Sequence, residues 1–127
     1  MLENYTVISS KSFEETITVL KERLMTSGFG TLCSISLNER FAMKQLDYKD
    51  QLIILEVCNP FEAFNALNID KEVIYFLPCK IIVKQSNDVV SASMIRPTAF
   101  MSLLGHENLN EFAQKIENSL IEAMNQL

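Results

Sequence analysis

Two stretches of helical apolar spacing, one near each end of the chain, constrain the fold more than any other feature. Phe13, Ile17, Leu20 and Leu24 recur at helical spacing and make one stripe. Ser12 and Glu15 form an S-x-x-E capping box, in which each side chain satisfies an otherwise unpaired backbone N–H. Gly28 suits the left-handed position that ends a helix, and Leu24 and Phe29 stand where the Schellman motif places its hydrophobic contact. Near the other end, Leu109, Phe112, Ile116, Leu120, Ala123 and Leu127 form a second stripe. That helix is expected to start near Asn108, with Glu111 three residues on. Each stripe must be buried against something, and the segments between them alternate as strands do.

Tyr5 to Ser9 reads as a short first strand. Thr31 to Leu37 is a second, with Cys33, Ile35 and Leu37 on one face and Ser34 and Ser36 on the other. Leu52 to Cys58 is a third, with Ile53, Leu55 and Val57 opposite Ile54, Glu56 and Cys58. Tyr75 to Lys84 reads as a long strand holding Pro78, which marks an edge, a bulge or a bend. Ser86-Asn87-Asp88 has turn chemistry, and Val89 to Ile95 is the return strand of a hairpin. Three short helices fit between. Asn38 to Leu46 would turn Phe41 and Met43 or Leu46 inward. Asn59-Pro60-Phe61-Glu62 looks like a helix start, with a strong N-cap and proline at the first helical position, and leads into Ala63, Phe64 and Leu67. Pro97 and Thr98 open a third that Gly105 can end.

This order defines an α+β chain, a mostly antiparallel β-sheet with two long helices packed on one face. At 127 residues it reads as a single domain. Leu52, Ile54 and Ile82 fall on the sheet face opposite the helices yet are apolar. A monomer seldom leaves a large apolar patch in water, so a two-fold homodimer is expected. The net charge of −5 argues against nucleic acid as a partner. No apolar run approaches the roughly 20 residues of a membrane span. The N-terminus lacks a signal-peptide pattern, which points to the cytoplasm and to cysteines kept as thiols.

The residues also carry a family pattern. Ser12-Phe13-Glu14-Glu15 is followed by Gly28-Phe29-Gly30, then by Cys58-Asn59-Pro60 with Ala63 and Leu67, then by Leu77-Pro78-Cys79 and Pro97. In this order and spacing the chain resembles the bacterial and archaeal family called domain of unknown function 302. The resemblance implies a TATA-binding-protein-like α+β fold, often dimeric. It implies no settled activity.

One constellation could carry chemistry. Cys58 precedes a helix N-terminus, whose partial positive charge can lower a thiol pKa. Cys79 follows Pro78, and a bulge there could bring it onto the face of Cys58. The alternative is that both cysteines are small buried hydrophobes, the role that Cys33 takes on its apolar strand face. Lys80 and Arg96 are the nearby candidates for holding an anion. His106 reads as a solvated loop residue or a cap, and the cysteine spacings do not form a metal motif. Phe61 and Phe64 read as core or interface, and the acidic pairs as solvated surface. No nucleotide-binding or hydrolase motif occurs. The reading is therefore a small-ligand binding module with a site around Cys58, Asn59, Pro60, Cys79, Lys80 and Arg96. It needs no cofactor, and no catalytic residue is assigned. The alternatives are a homodimeric interaction or regulatory domain with structural cysteines, and a thiol redox or acceptor protein.

Overall fold

The structure, a computed structural model, describes residues 3–127. The elements run β1 (Asn4–Ser9), α1 (Phe13–Thr26), β2 (Gly30–Ser36), α2 (Leu37–Ala42), β3 (Gln51–Cys58) and α3 (Pro60–Ile69). A 3₁₀ turn follows at Lys71–Phe76, then β4 (Cys79–Ser86), β5 (Val89–Ile95), α4 (Pro97–Met101) and α5 (Glu107–Met124). The strands form a five-stranded antiparallel sheet in the order β1-β5-β4-β3-β2. One sheet face carries Leu55, Val57, Ile81, Val83, Ala92 and Met94, and all are buried in one cluster with Leu20 and Leu24 of α1 and the α5 stripe.

α1 forms for the reasons its sequence gives. The Ser12 hydroxyl accepts from the Glu15 N–H at 3.1 Å. Phe29 N–H donates to the Leu24 carbonyl at 2.8 Å and Gly28 N–H to that of Met25 at 3.0 Å, the two bonds of a Schellman end. On the same helix Thr16 is fully buried because the Ser9 hydroxyl lies 2.7 Å from its own. α5 buries Leu109, Phe112, Ile116, Leu120 and Ala123 as the stripe requires. It starts at Glu107, one residue before the expected point, with His106 at the cap position.

Several expectations need correction. Tyr75 and Phe76 do not begin the long strand but close the 3₁₀ turn, which the Asp70 carboxylate caps by accepting from Glu72 N–H at 2.9 Å. The chain then passes a cis Leu77–Pro78 peptide, and β4 starts only at Cys79, so that Pro78 precedes the strand instead of interrupting it. Leu37 does not finish β2 but opens α2, because the Ser36 hydroxyl accepts from Glu39 N–H. α2 itself buries nothing; Phe41 is half-buried while Met43 and Leu46 are exposed. Cys33 is exposed instead of buried. A bulge between Thr31 and Cys33 resets the register, so that Ser34 and Ser36 lie beside Leu55 and Ile53 on the core side and Cys33 faces the other way. Phe61 and Phe64 are not core either: they are 82% and 68% exposed on the outer side of α3.

Candidate functional site

Cys58 ends β3, and Asn59 caps α3. The Asn59 side-chain oxygen accepts from Phe61 N–H at 3.1 Å and Glu62 N–H at 3.3 Å, and Pro60 takes the first helical position. Its amide nitrogen lies 2.9 Å from where a Cβ on Gly28 would stand, and Gly28 has φ of +89°. This contact explains why Gly28 and Asn59 occur together: a larger residue at 28 would push the cap away. Asn59 and Pro60 are therefore committed to building the β3–α3 corner.

The same cap removes the reason for a reactive Cys58. The first amides of α3 are already bonded to Asn59, and burial pushes the Cys58 thiol up from its ordinary value, not down. Cys79 is pushed up to about 12, first by burial and then by the negative charge that Cys58 and Glu56 would place beside it. Cys79 pairs directly with Val57, so no bulge intervenes and the register keeps Cys79 on the core face. Cys58 and Cys79 line a shared space with Met101 and Phe112, but it measures only about 10 Å³, room for about one water molecule. Among the described residues no three or more His, Cys, Asp or Glu side chains gather to hold a metal ion.

The two basic candidates are also occupied. Lys80 projects from the sheet face opposite Cys79, and its Nζ lies 2.6 Å from Glu56 Oε1 on the next strand. Arg96 pairs with Glu117 at 3.4 Å and stacks over the Tyr5 ring at 5.1 Å. Glu117 is only 4% exposed, and its carboxylate also accepts from the Thr98 N–H at 3.1 Å and hydroxyl at 2.7 Å. It ties α4 to α5. Its position, one residue after Ile116 and three before Leu120, sets it on the apolar stripe, the signal that could have marked it in the sequence.

The larger opening lies on the other side of Leu77-Pro78-Cys79. It is a groove of about 440 Å³. Phe76 and Phe100 stack at 5.1 Å between ring centres and form one wall with Pro97. Met94 and Leu120 form the floor, and Lys80, Ile82 and Ile95 the rim. The groove occupies a split in the sheet: the β4–β5 ladder begins only at Ile82 with Ser93, although β4 is paired to β3 from Cys79 and β5 to β1 as far as Ile95. Of the expected site residues, the groove gathers Cys79 and Lys80. Cys58 and Asn59 line the small space instead, and neither Pro60 nor Arg96 lines either. Phe76 and Phe100 were not anticipated.

A five-stranded antiparallel sheet with two long helices on one face defines a small α+β protein, and among the described residues no helix is long and apolar enough to cross a membrane. The chain belongs to the family described as Domain of unknown function DUF302, whose model matches residues 5–127. It is similar to the crystal structure of an uncharacterized conserved protein DUF302 from Bacillus stearothermophilus, with 39% sequence identity, a TM-score of 0.94 and 98% of each chain covered. No curated protein matches it.

Proposed function

We propose that the protein is a small-ligand binding module whose site is the groove at Leu77-Pro78-Cys79, and that its ligand is mainly apolar. The observation that carries this reading is the groove itself, about 440 Å³ with aromatic and aliphatic walls. Small-molecule sites typically run from about 300 to about 1,000 Å³ and are lined in this way. The raised Cys58 and Cys79 thiols favour binding over thiol chemistry. A neutral fluorescent probe, N-phenyl-1-naphthylamine, should bind saturably with one site per chain. Ile95→Glu puts a charge on the partly exposed rim and should weaken that binding by about tenfold or more while leaving the melting temperature near wild type. Absence of saturable binding, or binding untouched by the substitution, refutes the reading.

A second reading, a homodimer, is favoured by one specific observation. Ile35, Ile54 and Ile82 lie in a single cross-strand row on the sheet face away from α1 and α5. Leu52 stands on the same face. Burying this row against a second copy would remove an apolar patch from water. Light scattering should give twice the 14.5 kDa chain mass, and Ile54→Lys should return it to the monomer. A wild-type monomer at tens of micromolar rules this reading out.

A further inference from the structure

Within the groove just proposed, we infer that the ligand is an extended, apolar peptide segment, bound by main-chain hydrogen bonds as well as by apolar contact. The unfinished β4–β5 ladder supports this. Continuing the β4–β5 register past Ile82–Ser93 would pair Ile81 with Met94 and Lys80 with Ile95, and neither pair forms. Each of these residues is laddered on its other side, Lys80 and Ile81 to Glu56 and Leu55, Met94 and Ile95 to Tyr5 and Asn4. Two strand edges without a ladder partner therefore face each other across the groove that Cys79, Lys80, Met94 and Ile95 line. Main-chain N–H and C=O groups need partners when water leaves. A purely hydrocarbon ligand would dry them without replacing their bonds, which is unfavourable. A strand-like peptide about as long as residues 79–81 supplies an N–H and a C=O per residue, and its side chains alternate toward the two sides of the sheet. One set then meets Met94 and Leu120, the other Ile82 and Ile95.

The inference rests on the groove reading, and the test separates the two. The full chain, labelled with ¹⁵N and carrying bound N-phenyl-1-naphthylamine, is titrated with acetyl-Val-Leu-Val-amide and with the same peptide N-methylated at every backbone nitrogen. The unmethylated peptide should displace the probe with an affinity about tenfold higher than its analogue, the size expected when one or two hydrogen bonds are withdrawn. Its amide shifts should concentrate at residues 79–81 and 94–95. Equal displacement by both peptides, failure of the unmethylated peptide to displace, or shifts concentrated elsewhere overturns the inference while the bound probe keeps the groove reading intact. A probe that never binds overturns both.

Discussion

Replacing Gly28 with alanine tests how the β3–α3 corner is held. Two separate effects add. Gly28 sits at φ +89°, and an L side chain in the left-handed region costs about 1–2 kcal/mol. The new Cβ would also stand 2.9 Å from the Asn59 amide nitrogen. That amide is not free to swing aside, because the oxygen on the same group holds Phe61 and Glu62 N–H. Displacing it forfeits the cap, worth about 1 kcal/mol. Gly28→Ala should therefore destabilise by about 2–3 kcal/mol, and Asn59→Ala by about 1 kcal/mol. In the double variant the clash has no partner, so only the backbone part of the glycine effect remains. The double loss should then fall short of the summed single losses by about 1 kcal/mol. Urea melts of the four proteins measure this directly. Strict additivity, or a Gly28→Ala loss below that of Asn59→Ala, would show that the close approach of these residues does not govern the corner.

The remaining expectations concern the thiols and the first helix. An alkylating reagent at neutral pH should label exposed Cys33 first, half-buried Cys58 more slowly and Cys79 only on unfolding, read by mass spectrometry of each site; Cys58 leading would restore the activated-thiolate view. Cys79 keeps its proton in the fold up to about 12, whereas the unfolded chain releases it near about 8.5, so the unfolded state binds fewer protons in between and stability falls as pH climbs through that window, by at most about 1.4 kcal/mol per unit. Urea midpoints at about pH 8 and about pH 10.5 should drop less for Cys79→Ala than for wild type, and equal drops would remove this linkage. Ser12→Ala should lose about 1 kcal/mol with its cap, and Leu24→Ala, at a fully buried position, about 2–5 kcal/mol; the reverse ranking in denaturant melts would contradict the helix face described.

The α+β architecture was legible because its signals are local. The Ser12 cap, the Schellman end at Gly28, the Asn59-Pro60 start and the α5 stripe each depend on residues a few positions apart. Misreadings fell where a local pattern is ambiguous. Tyr75-Phe76-Leu77 is apolar enough to begin a strand, but short apolar runs do not distinguish strand from turn, and the Asp70 cap decided it. One bulged residue between Thr31 and Cys33 was enough to break the link between strand parity and burial for Cys33. The candidate site was half legible. Leu77-Pro78-Cys79 does border the main opening, but that opening exists because one ladder stops short while its neighbours continue. Pairing between β4 and β5 over that stretch is not written in either strand alone. Nor could spacing show that Lys80 and Arg96 are paired with Glu56 and Glu117.

The carboxylate of Glu117 has a consequence for motion. α4 is five residues long, and a helix of that length has almost no stability of its own. Its first turn carries no cap from its own N-cap residue, Arg96; the acceptor for Thr98 N–H comes from α5, far along the chain. Swinging α4 away would expose the Pro97–Phe100 wall, part both bonds to Thr98 and separate a nearly buried carboxylate from its partners at once. The wall is thus latched at a single atom group, and opening it forfeits both Thr98 bonds together. Amide exchange at Thr98 should accordingly be as slow as in the middle of a long helix, although first-turn amides ordinarily exchange within the fastest class.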